Sequence, residues 1–195
     1  MPAEFQKTVV LVGFGSPSDP ASPRRFLAEI FADPASSPFA RWPRLSPYLA
    51  QAMAALAAAK SRRRYSSVAE RPASLQMIEG LTDRLRRRLD VMGMGEVKAI
   101  HAMRYGEPSM ENAFAQIAGA GITDVTVVPL FPHRAAPTTG TVEAELKRVL
   151  ALPKCRGVCA RIAGPLYERP EFVEAWGQSV RDALAKFPLG ARVHL

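Results

Sequence analysis

Cysteine and long apolar runs are both scarce in this chain of 195 residues. The two cysteines, Cys155 and Cys159, are spaced for neither a paired-thiol zinc site nor a thioredoxin-type redox motif, so we expect both to be packing residues. The longest apolar runs, residues 8–13 and 125–131, are far shorter than the roughly 20 residues that a membrane span needs. The N-terminus lacks the basic region and apolar stretch of a signal peptide. These absences predict a globular, cytoplasmic protein.

Basic residues outnumber acidic ones by 26 to 18, which gives a formal net charge of +8. Such an excess attracts anionic ligands, nucleic acid or an acidic membrane surface, and charge alone does not choose among them. Much of it lies in residues 62–64 and in Arg84, Arg86, Arg87 and Arg88. A platform for single-stranded nucleic acid requires aromatic residues among its basic ones. No aromatic residues are interleaved with these arginines. We therefore expect a solvated helix face, with an acidic membrane surface as a further partner and no nucleic acid.

Strands and helices are predicted to alternate along most of the chain. A continuous β-branched run is typical of a buried parallel strand, and strands are predicted at residues 7–13, 97–103, 124–131, 157–163 and 192–195. Helices are predicted at residues 23–33, 109–120, 141–152 and 171–187, and a helical insertion at about 34–90 contains two more, at 48–64 and 75–90. The pattern predicts one α/β domain over residues 1–195, a doubly wound three-layer sandwich with a mainly parallel sheet.

Ligands of such sheets bind outside the carboxyl ends of the strands. Gly13, Phe14 and Gly15 follow the first strand, where a dinucleotide fingerprint would lie, but Ser18 occupies the position of its third glycine. The glycines instead allow a flat ligand to approach the backbone, with Phe14 as a stacking face. A purely structural turn is the alternative.

Two further strand ends carry ionisable side chains. Arg104 has the planar guanidinium that pairs with a ligand carboxylate, or else it bridges to Glu107 while that residue caps the next helix. His133 is a candidate metal ligand, proton acceptor or carboxylate partner, although an isolated loop histidine often has none of these roles. His101 and His194 lie inside predicted strands, so we expect both to be core residues.

Four segments together resemble the N-terminal half of ferrochelatases. Residues 9–34 are similar to the family's opening strand, turn and helix, and residues 102–108 resemble its Ala-Met-Arg-Tyr-Gly-x-Pro motif. Residues 127–141 are similar to a Pro-Leu-Tyr-Pro segment that ends in Thr-Thr-Gly-Ser, and residues 167–172 to Tyr-x-x-Pro-x-Phe. The four segments occur in the family's order and at appropriate spacing over nearly the whole chain.

The resemblance implies one of two similar α/β halves that form a cleft for a porphyrin. Ferrous iron is inserted there as two pyrrole protons leave, so porphyrin and ferrous iron are expected as substrates and no permanently bound cofactor is expected. A bulky porphyrin-facing residue is implied at Phe14, propionate contacts near Arg64 and Tyr65, and a further contact at Ser74. Arg104 is added as a candidate carboxylate partner of the porphyrin.

Two departures from the family pattern affect the site. The family's Gly-Gly-Ser-Pro-Leu turn is replaced by Arg-Pro-Ala-Ser-Leu at residues 71–75. The sequence ends at Val-His-Leu, just before the family's Ser-x-His-Gly motif, whose histidine handles iron and protons. His133 is then the candidate catalytic substitute within the chain.

We therefore expect an incomplete ferrochelatase that is inactive in isolation, with a missing C-terminal half or a second copy completing the cleft. A non-catalytic tetrapyrrole-binding half-domain and a nucleotide-binding α/β domain are the alternatives.

Overall fold

A computed structural model describes residues 7–17, 23–37, 39, 42, 44–65 and 73–187 of the chain, with the backbone alone at 61–65. Four strands and six α-helices lie within these residues. Their order is β1 (Lys7–Gly15), α1 (Arg24–Ala32), α2 (Ser46–Tyr65), α3 (Ala73–Val91), β2 (Val97–Tyr105), α4 (Met110–Gly119), β3 (Asp124–Pro129), α5 (Thr141–Leu150), β4 (Cys159–Ile162) and α6 (Pro170–Leu184). The strand predicted at 192–195 lies outside the described residues.

The four described strands form one parallel sheet in the order β2-β1-β3-β4. β1 lies inside the sheet, where Val10 is in register with Ile100 of β2 and Val127 of β3. Parallel strands have their carboxyl ends at one edge of the sheet. Helices pack on both faces, so the prediction of a doubly wound α/β fold with a parallel sheet is confirmed.

One face of the sheet carries the main hydrophobic core. Successive side chains of a strand point to opposite faces, so the alternate valines of β1 and β3 share this face. α4 and α5 cover it with Phe114 and Val142, both fully buried. The buried members of this core are Val10, Val12, Ala102, Met110, Ala113, Phe114, Ile117, Ile122, Val125, Val127, Val142, Leu146, Val149 and Cys155.

α3 covers the opposite face of the sheet, although it belongs to the segment interpreted as a helical insertion. Its Ile78 packs with Leu11 and Met103, and its Leu89 packs with Ala99. α1 packs on α2 and lies near the ends of β2 and β1, where its Phe26 contacts Phe14. None of the residues of α6 is buried. The second face is therefore covered less completely than the first.

Several local features differ from the sequence-based expectations. Cys155 is buried, but Cys159 is exposed on β4, so the expectation that both cysteines are packing residues is wrong for Cys159. Cys159 and Arg161 are exposed on one face of β4, whereas Ala160 and Ile162 on its other face pack against the main core. A single π-helical turn, Ala136–Gly140, precedes α5. In the described part of the chain, no helix combines the length and the apolar composition needed to cross a membrane.

Candidate functional site

An open groove lies on the α3 side of the sheet, beside the carboxyl end of β1. Its volume is about 590 Å³, within the range of roughly 300–1,000 Å³ that is typical of small-molecule sites. α3 forms one wall, and the segment that leads into α6 forms part of the other. The lining residues, most of them apolar, are Gly13, Phe14, Gly15, Ser74, Gln76, Met77, Ile78, Gly80, Leu81, Arg84, Met103, Leu130, Leu166 and Phe172.

Phe14 is an aromatic side chain at the β1 end of the groove. Three rings support it in edge-to-face contacts, with centroid distances of 6.4 Å to Phe26, 5.1 Å to Tyr105 and 6.5 Å to Phe131. Edge-to-face packing is a favoured arrangement of aromatic rings. Phe14 is nevertheless 41% exposed. The ring is therefore held in place by its neighbours while part of its surface stays open to a ligand.

The two glycines beside Phe14 are required by the close packing of the end of β1 against β2 and α3. Gly15 has a φ of +107°, and a Cβ atom there would lie 1.8 Å from the carbonyl oxygen of Tyr105. A Cβ atom on Gly13 would lie 3.2 Å from Ile78 Cδ1 and 3.3 Å from Met103 Sδ. The absence of side chains lets the end of β1 lie close to β2 and α3, and this places Phe14 at the groove.

The groove-facing side of α3 is apolar and open. Met77 and Leu81 are 73% and 37% exposed, and they lie four residues apart, so they share one side of the helix. Arg84 follows on the same side, three residues beyond Leu81, and Ser74 lies in the first turn of α3. This wall combines apolar side chains with one cation.

A buried ion pair lies close to the groove, behind Tyr105. Arg104 pairs with Asp33, and the two side chains are only 13% and 4% exposed. Arg104 Nε also donates to the carbonyl oxygen of Thr141 at 3.0 Å, and the Tyr105 hydroxyl donates to Asp33 Oδ2 at 3.0 Å. Burial raises the pKa of Tyr105 above its usual value, so the hydroxyl remains a donor at neutral pH. Together these contacts connect α1, β2 and α5.

Ser109 caps α4, since its Oγ accepts a hydrogen bond from Asn112 N at 3.3 Å, and Glu107 supports this helix start. Glu107 Oε2 accepts hydrogen bonds from Ser109 N at 2.9 Å and from Asn112 Nδ2 at 3.1 Å. Glu107 therefore bonds to the start of α4, whereas Arg104 pairs with Asp33 at the end of α1 and does not bridge to Glu107.

Comparison with known proteins decides the family. A ferrochelatase family model matches residues 6–195. The chain belongs to the ferrochelatase family. A ferrochelatase of Synechococcus sp. (strain JA-3-3Ab) is 32% identical over 190 residues, which cover 96% of this chain and 54% of that protein. Ferrochelatases of Synechocystis sp. (strain ATCC 27184 / PCC 6803 / Kazusa) and Aquifex aeolicus (strain VF5) are 29% and 26% identical, over 96% and 93% of this chain and 48% and 56% of those proteins. The chain therefore spans about half the length of these curated ferrochelatases.

The structure brings together two of the residues that the ferrochelatase resemblance assigns to porphyrin. Phe14 and Ser74 both line the groove. Arg104 instead lines a pocket of about 590 Å³ between α1, α4 and α5, whose lining is rich in charged residues. Arg64 and Tyr65 end α2, and their side chains lie outside the described residues. The porphyrin contacts of all five residues stay predictions.

His133 and His101 lie in separate places in the structure. His133 stacks on Tyr167 with a centroid distance of 5.4 Å and an interplanar angle of 29°. Neither ring is part of the groove lining, and the catalytic role of His133 stays a prediction. His101 Nδ1 lies 3.4 Å from Thr82 Oγ1, and burial lowers the pKa of His101, so its ring is neutral at pH 7. His194 lies outside the described residues.

Sequence reasoning did not find the α3 wall. The sequence pattern singles out neither Met77 nor Leu81, it shows Phe172 only as part of the Tyr-x-x-Pro-x-Phe segment, and it groups Arg84 with a solvated basic face. A signal is nonetheless present, because Met77 and Leu81 form a second apolar strip on a helix whose Ile78 and Leu85 already face the sheet. When one apolar strip of a helix packs on the sheet, a second strip is available to contact a ligand or a partner.

The buried ion pair predicts a large loss of stability when one partner is removed. Arg104→Met leaves the Asp33 carboxylate buried without its cation, and we expect it to lower the free energy of unfolding by about 3–5 kcal/mol. Arg161→Met is the matched control, since the Arg161–Asp124 pair is exposed and is expected to contribute about 1 kcal/mol or less. Urea unfolding measures both. Equal losses of unfolding free energy in the two variants would show that the Arg104–Asp33 pair does not stabilise the fold. They would favour a role of Arg104 in pairing with a ligand.

The glycine geometry predicts opposite effects of alanine at two positions in the groove. Gly15→Ala places a methyl group against the Tyr105 carbonyl at a positive φ, and we expect it to destabilise the fold by about 3 kcal/mol or more. Gly80→Ala meets no atom within 4 Å in the interior of α3, and we expect it to stabilise by about 1 kcal/mol. Thermal and urea unfolding test the pair. A Gly15→Ala variant as stable as the parent would contradict the described backbone.

Proposed function

We propose that this chain supplies the porphyrin-binding wall of a ferrochelatase, the enzyme that inserts ferrous iron into a porphyrin for heme synthesis. The observation that carries the proposal is the groove itself, in which the supported but half-open ring of Phe14 faces an apolar wall. A porphyrin is a flat apolar body, and burial of such a body against aromatic and aliphatic side chains is favourable. Membership in the ferrochelatase family supports this choice of reaction.

The residues of this chain act on the porphyrin by binding and orienting it. Phe14 offers a ring whose position is set by Tyr105 and Phe131 rather than by the ligand. Because these contacts exist before the ligand arrives, little ordering of the wall is needed on binding. Met77 and Leu81 exclude water from the opposite side of the groove. Proton transfer from the pyrrole nitrogens needs a base within hydrogen-bond reach.

A second unit completes the cleft in this proposal. The curated relatives are about twice as long as this chain. A counterpart of their remaining half is the unit that we propose to complete the cleft, and a second copy of this chain is the alternative. α6 supports the proposal, because its Val173, Trp176 and Leu184 are 56%, 57% and 43% exposed. α6 also reaches the groove through Phe172. An apolar helix strip next to a binding groove is a suitable surface for such a unit.

The proposed setting is the cytoplasm, at the surface of an acidic membrane that supplies the porphyrin. Arg87 and Arg88 support it, since both are exposed on α3 and neither forms an ion pair with a described residue. Exposed arginines near an anionic membrane contribute attraction that weakens with salt.

The groove predicts that Phe14 carries much of the porphyrin affinity. We expect Phe14→Ala to weaken binding of mesoporphyrin IX about tenfold, because the exposed ring supplies roughly 1.5 kcal/mol of stacking. Phe187→Ala is the matched control, since Phe187 is 52% exposed but does not line the groove. The shift of the porphyrin Soret band in a titration measures both affinities.

Three results would contradict the proposal: no porphyrin binding by the parent chain, equal affinities of the Phe14 and Phe187 variants, or thermal stabilisation by NAD or FMN but not by porphyrin.

The position of His133 predicts that this chain binds porphyrin without catalysing metal insertion. Its ring stacks on Tyr167 and does not line the groove. We expect the purified chain to bind porphyrin but to insert ferrous iron no faster than the uncatalysed reaction, since a positioned base typically supplies about 10²–10⁴-fold. An anaerobic insertion assay, with a full-length ferrochelatase in parallel, measures the rate. Turnover comparable to that enzyme would contradict the expectation, and its loss in His133→Ala would identify His133 as the base.

A further inference from the structure

The arginines of α3 do not form one solvated face. Arg86 Nε donates to the carbonyl oxygen of Ala99 at 2.8 Å, and Arg86 Nη1 pairs with Asp83 at 2.9 Å, so this side chain fastens α3 to β2. Arg84 lies on another side of the helix and lines the groove, whereas Arg87 and Arg88 do not line it. The structure thus separates Arg84 from its neighbours by position.

Arg84 also differs from its neighbours in its surroundings. Like Arg87 and Arg88, and unlike Arg86, it has no carboxylate partner among the described residues, but unlike all three it lies against the apolar wall of the groove. The described lining of the groove contains no aspartate or glutamate, and its other polar side chains, Ser74 and Gln76, are neutral. A single unpaired charge against an apolar wall attracts anions more strongly than the same charge surrounded by water.

The distance along α3 between Ile78 and Arg84 limits which ligands can contact both ends of the groove. A Cβ atom on Gly13 would lie 3.2 Å from Ile78 Cδ1, so the end of β1 meets α3 at Ile78. Arg84 follows six residues later, which is about 9 Å along the helix axis. A ligand that stacks on Phe14 and also reaches Arg84 therefore has an apolar body of about that length and an anionic group at one edge.

We infer that Arg84 binds a carboxylate at the edge of the groove's ligand and makes the groove selective for porphyrins with free acidic side chains over their esters. The inference rests on the proposed function and adds a specificity-determining residue to it. Arg84 has the fork of donors that fits a carboxylate, and its aliphatic stem adds to the apolar wall beside Leu81. The ester has the same apolar body without the charge, so it keeps the stacking and loses the ionic contact.

The test compares two ligands and three variants of the purified chain. Mesoporphyrin IX and its dimethyl ester, both dispersed in the same neutral detergent, are titrated into the parent chain, Arg84→Gln, Arg84→Lys and the matched control Arg87→Gln. We expect Arg84→Gln to weaken diacid binding about threefold to tenfold, the range for a partly exposed charged hydrogen bond, and to leave ester binding unchanged. Arg84→Lys should recover part of the loss, and Arg87→Gln should resemble the parent.

Raising the salt concentration gives a second readout. The diacid affinity of the parent chain should fall with salt, and the dependence should be weaker in Arg84→Gln. Equal losses for the diacid and the ester in Arg84→Gln would overturn the inference, because they would indicate a packing role. Unchanged diacid binding in Arg84→Gln, or equal losses in the Arg84 and Arg87 variants, would also overturn it. Failure of the parent chain to bind either ligand would overturn the proposed function as well, so the two failures are distinguishable.

Discussion

The carboxylate of Asp33 is the contact on which the shape of the groove depends. It pairs with Arg104 and accepts a hydrogen bond from the Tyr105 hydroxyl, which fixes the last two residues of β2 against the end of α1. Tyr105 in turn holds the ring of Phe14 at 5.1 Å. A carboxylate that is nearly inaccessible to solvent therefore determines the position of an aromatic ring that is open to it. Because a buried charge without a partner is very unfavourable, this connection has little freedom to change.

The two faces of the sheet divide the work of the molecule. On the α4 and α5 side the residues of the core are close to fully buried, and the pocket between α1, α4 and α5 is rich in charged residues rather than apolar. On the other side α3 covers β1 and β2, while α6 buries none of its residues. Stability comes mainly from the closed face, and the open face is available for recognition.

Local patterns in the sequence predict the fold well and the site only partly. The β-branched runs of β1 and β3 and the apolar spacing of α4 and α5 have one consistent interpretation, because each element shows its own period. Phe14 is also found locally, since a residue after a buried strand of a parallel sheet lies at the ligand-binding edge. Arg104 is harder, because its partner Asp33 is 71 residues away and no local pattern shows the pair. The same holds for the contact of His133 with Tyr167 and for the place of Arg84 in the groove.

The central position of β1 has a consequence for the assembly of the chain. Lys7 is in register with Val97 and with Asp124, so both described partners of β1 are strands made much later than β1 itself. At roughly 5–20 residues per second, about 5–18 s of synthesis separate β1 from its first neighbour. Among the described elements, α1, α2 and α3 are made during that time. Pairings over such long sequence separations close slowly, so this topology delays completion of the sheet around β1.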